Sequence, residues 1–178
     1  MKRVAAAIAT VVTLVASGCA TSFSPDVIRS EIARQTGADP QRAFELNLGP
    51  LTMAMTKSLL AGGTTDGALP LEGLDALELA VYEVPATGVT LDFMRMPVVG
   101  WEPVVRNKTP TGSALVLVRF QGDTISDLVL IGAGEKQAIY ARLRGRLSRG
   151  LPAALGEAVE QHGTDGVKSQ LMSLADEK

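Results

Sequence analysis

The chain has 178 residues, 46% of them hydrophobic, with 17 Lys and Arg against 19 Asp and Glu, a single His and a single Cys. A disulfide scaffold needs paired cysteines, and a structural zinc site needs four ligands drawn mostly from Cys and His, so neither class fits. Basic tracts and low-complexity runs are missing as well, which gives no support to a nucleic-acid partner or a disordered chain and leaves a folded domain.

The N-terminus carries an address. Lys2 and Arg3 precede an apolar run from Val4 to Ala16, which closes on Ala16-Ser17-Gly18-Cys19. A membrane-spanning helix needs about 20 apolar residues. This run is shorter and ends in small residues suited to a peptidase, so residues 1–18 are expected to be a secretory signal peptide. Cys19, directly after those small residues, resembles the lipobox of bacterial lipoproteins. The resemblance implies that the Cys19 thiol is diacylglycerated, that the chain is cut before it, and that Cys19 becomes the acylated, palmitate-bearing first residue. Where that pattern usually has Leu, three positions before the Cys, this chain has Ala16, with Leu14 and Val15 just upstream. The plainer alternative is an ordinary cleaved signal in which the Cys falls there by chance. An alkylated sulfur forms no thiolate, so lipidation leaves Cys19 no redox or nucleophilic role. By resemblance to the lipoprotein sorting rule, Asp after the lipidated Cys favours inner-membrane retention. That position is Ala20, so the expectation is the inner leaflet of an outer membrane, facing the periplasm.

Removing residues 1–18 leaves 160 residues and, with Lys2 and Arg3 gone, moves the formal charge from −2 to −4. Residues 19–24 would form the lipidated end and a short tether, and residues 25–178 one domain, a size that buries roughly 70% of the surface of its unfolded chain. No second stretch is long and apolar enough to span a bilayer, so the expected membrane contact is the N-terminal lipid. The five residues Ala20 to Ser24 reach under roughly 20 Å, which keeps the domain close to the surface.

Ser24-Pro25-Asp26 is a helix start, with Ser as N-cap, Pro at the first helical position and Asp in the first turn. Val27, Ile28, Ile32 and Ala33 share a face, and Gly37 before Asp39-Pro40 ends the helix. Arg42 to Leu48 alternates Phe44, Leu46 and Leu48 with polar residues, as a half-buried strand does. Pro50 opens a second helix to about Ala61, with Leu51, Met55 and Leu59, extended by Leu60, as the expected apolar stripe. Met53 and Met55 are read as core fillers in preference to metal or cofactor ligands. After the loop Gly62 to Gly67, Gly73 to Val84 reads as a strand through Leu77, Leu79 and Val81. Thr90 to Met96 reads as a short helix stopped before Pro97.

Four strand-like runs follow: Trp101 to Arg106, Ser113 to Phe120, Ile125 to Ile131 and Lys136 to Arg146. The connections between them have turn chemistry and are too short for crossovers, so the sheet should be mainly antiparallel. The second and third runs are apolar on both faces and belong at the centre, whereas Pro103 marks the first as an edge. A last helix is expected from about Pro152 to Gln161. The predicted fold class is α+β, an antiparallel sheet of about five to six strands with helices packed on one face.

Gly100-Trp101-Glu102-Pro103-Val104-Val105-Arg106, then Ala114 to Val118, Ile125 to Ile131, a strand ending at Gly145 and a helix, resembles a family of small bacterial lipoproteins catalogued as a domain of unknown function. The resemblance covers the order of elements from Phe44 to Ala158 and is best from Trp101 to Leu155. It implies a lipobox, an envelope location and an α+β domain, and brings no catalytic residues.

Residue chemistry adds little to that. His162, the sole histidine, follows the last predicted helix beside Gly163, as a solvated helix end would, and the Gly-x-Ser-x-Gly elbow is absent. Gly132-Ala133-Gly134 lacks the third Gly of a dinucleotide loop and is followed by a strand, so it reads as a hairpin turn. No metal-ligand spacing occurs and no cofactor is implied. Asp66, Asp75, Asp92, Asp123 and Asp127 leave open a two-carboxylate hydrolase as the alternative to a non-enzymatic binding module, although turns and caps explain most of them.

Charge is distributed unevenly. Gly62 to Asp92 holds six acids and no base, whereas Glu135 to Arg149 holds five bases and one acid, a polarity that would let two ends of the domain meet different partners. Period-two alternation puts Ile139, Ala141 and Leu143 on one face of the last strand and Tyr140, Arg142, Arg144 and Arg146 on the other. With the first set in the core, the second forms an exposed stripe suited to phosphate or carboxylate groups, on an anionic lipid headgroup or an acidic envelope protein. The alternative is that Glu102 or another acid of a neighbouring strand pairs with the arginines and nothing binds.

Overall fold

A computed structural model describes residues 21–60, 73–85, 88–110 and 112–152. The signal peptide, Cys19, Ala20, the loop Gly62 to Gly67, the helix expected beyond Pro152 and His162 lie outside the described residues. Among the described residues no helix is long and apolar enough to cross a membrane.

Ser24 caps helix α1 (Pro25–Thr36): its backbone is extended and its Oγ accepts from the Val27 N–H at 3.4 Å, while Pro25 fills the first turn, where its missing N–H costs nothing. Gly37 adopts the left-handed conformation and its N–H donates to Ala33 O at 2.8 Å, closing the helix. Strand β1 (Gln41–Leu48) leads into helix α2 (Pro50–Leu60), followed by β2 (Leu74–Glu83). The short helix expected near Thr90 is a single 3₁₀ turn, Phe93–Arg95, capped by the Asp92 carboxylate. The antiparallel meander β3 (Glu102–Thr109), β4 (Gly112–Gln121), β5 (Thr124–Ala133) and β6 (Gln137–Leu147) completes one six-stranded sheet of order β1-β2-β6-β5-β4-β3. All its pairings are antiparallel, β5 and β4 are interior, and β3 with its Pro103 is an edge.

Both faces of the sheet are apolar. One carries Leu77, Leu79 and Val81 of β2, Ile139, Ala141 and Leu143 of β6, Leu128 and Leu130 of β5, and Val116 and Val118 of β4. The other carries Ala80 and Tyr82, Ala138 and Tyr140, Val129 and Ile131, and Leu115 and Leu117. Each face therefore needs its own cover. Ile28 and Ile32 of α1 lie on the second face together with Phe23 and with Leu91, Phe93, Met96 and Trp101 from the connection between β2 and β3. Met53 of α2 and Leu151 lie on the first.

The two helices thus pack on opposite faces of the sheet, and the expectation of helices on a single face is not met. The apolar stripe of α2 also differs from expectation. Met53 is 2% exposed, whereas Leu51 is 73% and Met55 61% exposed. Met53 lies about 200° round the helix from Leu51, so only one of the two sides can meet the sheet. In α1, Val27 is likewise exposed although Ile28 and Ile32 are buried.

β2 and β6 cross at a tight contact where Gly73 (φ 81°) and Gly145 (φ 150°) face each other, with the Arg146 N–H donating to Gly73 O at 2.7 Å. A Cβ on Gly145 would sit 2.0 Å from Gly73 O, and one on Gly73 would sit 2.2 Å from Arg146 O. Gly145→Ala is expected to lose about 3 kcal/mol of stability from backbone strain before any overlap is counted. Gly150→Ala, whose Cβ would have Ser148 Oγ at 3.6 Å as its nearest neighbour, should melt close to the wild type. Thermal unfolding of the two variants checks the assignment, and equal melting temperatures would contradict it.

Candidate functional site

The segment Thr21–Phe23 lies on the α1 side of the sheet and is held there by side chains of strands β4 and β6 and by the β2–β3 connection. The Thr21 N–H donates to Val99 O at 2.8 Å, and the Val99 N–H donates back to Thr21 Oγ1 at 3.1 Å. Thr21 O accepts from Trp101 Nε1 at 2.8 Å and from Arg119 Nη2 at 3.2 Å. Phe23 is fully buried, with its ring edge-on to Trp101 at 5.4 Å, and its carbonyl accepts from Tyr140 Oη at 3.1 Å and Arg142 Nη1 at 3.2 Å. One step on, the Tyr82 hydroxyl donates to Pro25 O at 2.7 Å.

Two arginines frame the single tryptophan. The Arg119 guanidinium lies 4.1 Å and that of Arg142 5.8 Å from the centre of the Trp101 ring, where the ring quadrupole attracts a cation. Arg119 Nε also donates to Gly100 O at 3.0 Å. Arg142 makes a two-pronged pair with Asp127, Nε to Oδ1 at 2.8 Å and Nη2 to Oδ2 at 2.7 Å, with side-chain exposures of 18% and 12%. This geometry strengthens the proton affinity of Arg142, chiefly through the Asp127 hydrogen bond. Burial, aided by the nearby Glu78 carboxylate, pushes the Tyr140 phenol far above its ordinary range, so it remains a donor. Its single O–H is shared between Phe23 O and Glu78 Oε2, each at 3.1 Å.

Tyr140 and Arg142 are therefore not part of an open stripe. Alternation assigns them correctly to the face opposite Ile139 and Leu143, but that face is covered by Phe23, and the acid that pairs with Arg142 is Asp127 of neighbouring β5. Arg144 and Arg146 are exposed, and among the described residues no carboxylate pairs with them. Asp127 stands opposite Arg119 on β4 and opposite Arg144 on β6, but both of its carboxylate oxygens are engaged by Arg142.

The acidic and basic segments are not at opposite ends. β2 and β6 are hydrogen-bonded neighbours, and Glu78 sits directly across from Arg142. Among the described residues the candidate carboxylates are held by separate partners or by none, and none is bonded to another. Asp92 pairs with Lys108, which holds its carboxyl below the usual range, and Asp123 pairs with Arg149. Asp75 is exposed on β2, and Asp66 is outside the described residues. Among the described residues no cluster of three or more His, Cys, Asp or Glu could hold a metal ion.

A groove of about 520 Å³ opens on the opposite face at the same end of the sheet, lined by Val104, Val105, Phe120, Ile125, Arg149 and Pro152. Phe23, Trp101, Arg119 and the pairing of Asp127 were not visible as a site in the sequence. The one available signal is Phe23 itself, a large aromatic among the small polar residues of the expected tether.

Removing only Asp127 strands the Arg142 charge in a covered site. Asp127→Ala is expected to cost about 3 kcal/mol, a fall in melting temperature of roughly 6–12 °C for a domain of this size. The double variant Asp127→Ala, Arg142→Met removes both charges and should melt above the single one. Circular dichroism melts decide; a double variant no better than Asp127→Ala would show that the pair does not act as a unit.

Comparison with protein-family models, curated proteins and solved structures finds no match for this chain, so its own geometry carries the functional reading.

Proposed function

We propose that the protein is a lipid-anchored lipoprotein of the bacterial envelope, acylated at Cys19 and held on the periplasmic side of the outer membrane, where its domain acts as a non-enzymatic binding module. The resemblance to small bacterial lipoproteins of unknown function belongs to the same proposal. The observation that supports it is the clamp around Thr21–Phe23. A domain joined to an anchor by a loose linker is free to tumble, whereas here the backbone is bonded to the sheet from Thr21 onward. Only Ala20 stands between Cys19 and that fixed point, a span of at most about 7 Å. A lipid on Cys19 would therefore fix both the distance and the tilt of the domain relative to the bilayer. The binding partner in this reading is an envelope protein or an anionic lipid headgroup.

Cys19→Ser is expected to accumulate as uncleaved precursor or to be released in soluble form, and to lose incorporation of labelled palmitate. Membrane retention of that variant at the wild-type level would remove the anchor from the account. Sorting is tested separately by fractionation: the native protein is expected with the outer membrane, and Ala20→Asp should move it to the inner membrane.

A further inference from the structure

The fixed point at Thr21 lies at one end of the sheet, the end where β3 begins, β4 turns into β5, and β6 finishes. Three exposed apolar side chains lie at this end, Val99 on the Thr21 side of the sheet and Val104 and Phe120 lining the groove on the other side. Val99 directly flanks Thr21, Val104 lies in the first turn-side stretch of β3, and Phe120 precedes the β4–β5 turn; each is roughly half exposed. On the strand that finishes at this end, Arg144 and Arg146 are exposed and, among the described residues, without a carboxylate partner. The only acid facing Arg144 across the β5–β6 pairing is Asp127, and its carboxylate is taken by Arg142. This end also carries the exposed acids Glu102 and Asp123, the latter paired with Arg149, while the β5–β6 turn at the opposite end carries Glu135 beside Lys136, both exposed.

From this juxtaposition we infer that the β3-start and β4–β5-turn end of the sheet is a membrane-contact surface, in which Val99, Val104 and Phe120 enter the interfacial layer and Arg144 and Arg146 bind the phosphates of anionic phospholipids. The inference rests on the lipid-anchor reading and adds an orientation and a lipid class to it. Exposed apolar side chains at the same end as two arginines match the interface, which offers acyl and glycerol groups below a layer of phosphate. Arginine suits phosphate because its planar fork donates two bonds at once. The short reach from Thr21 to Cys19 brings this end, and not the Glu135 end, to the bilayer. The two unpaired cations then gain the counter-charge that the sheet does not give them.

The test uses the full-length, lipidated protein in vesicles of phosphatidylethanolamine and phosphatidylglycerol, with single substitutions Val99→Cys, Phe120→Cys and Glu135→Cys. All three positions carry exposed or half-exposed side chains, and melting curves verify that each variant folds. Acylated Cys19 is silent to a membrane-impermeant maleimide, so each variant reports one position. Glu135→Cys should label at the rate of a free surface thiol, and Val99→Cys and Phe120→Cys much more slowly. Each cation at an anionic surface changes partition by about fivefold. Adding Arg144→Gln and Arg146→Gln, or replacing the anionic lipid by phosphatidylcholine, should therefore restore most of the labelling at Val99→Cys, by up to about 25-fold. Equal labelling at Val99→Cys and Glu135→Cys in a protein that stays with the vesicles overturns the orientation and leaves the anchor intact. Protection that is the same in phosphatidylcholine overturns the role of the arginines. Labelling of Cys19 in the wild-type protein overturns the anchor, and the inference with it.

Discussion

The constraint on which the structure depends is that its central strands are apolar on both sides. β4 and β5 expose no polar face for water, so the sheet is stable only when two separate layers cover it. The chain meets this need with different means on each face. Met53 of α2 and Leu151 meet one face, while the other takes Phe23, α1 and the β2–β3 connection. The position of Thr21–Phe23 follows from that division.

The second face also receives polar groups, and the way they are tolerated explains the clamp. An extended backbone laid across a sheet face brings carbonyls that have no ladder partner, and leaving them dry would cost free energy comparable to a lost hydrogen bond each. Thr21 and Phe23 direct their carbonyls to Trp101 and Arg119 and to Tyr140 and Arg142 respectively, and the Tyr82 hydroxyl donates to Pro25 O at the start of α1. No buried side-chain nitrogen or oxygen among the described residues lacks a hydrogen-bond partner. The arginine that reaches Phe23 carries its charge under cover only because Asp127 meets it with both oxygens. The ion pair and the docked segment are thus one assembly.

Much of this fold was legible in the sequence because it is encoded locally. Ser24, Pro25 and Gly37 mark α1 through single-residue capping chemistry, and each of the six strands stands within a few residues of its apolar run. The antiparallel meander follows from loops too short for crossovers. What was not legible depends on distant partners. Nothing near Tyr140 reveals that Phe23, 117 residues earlier, covers its hydroxyl. Alternation tells which face a side chain takes and is silent on what lies over that face, so Tyr140 and Arg142 read as open when they are enclosed. The α2 stripe failed for a related reason: a helix with apolar residues on two sides has no preferred contact until the sheet offers one, and Met53 won over Leu51 and Met55. The neighbourhood of β2 and β6, which sets acidic and basic segments side by side, is again a long-range pairing.

The attachment at Thr21 has a mechanical consequence. A pull on the chain upstream of this residue does not reach the end of α1 first, where a helix would peel away one turn at a time. It is taken up by Val99, Trp101 and Arg119, and then by Tyr140 and Arg142, five side chains or backbone groups spread over the connection and strands β4 and β6. Phe23 behind them is wedged against Trp101 in the core. Load is therefore shared across the width of the sheet and opposed by several bonds at once. The molecule would yield to force applied at its N-terminal end only when this face of the core opens, so its grip on whatever holds that end is as strong as its fold.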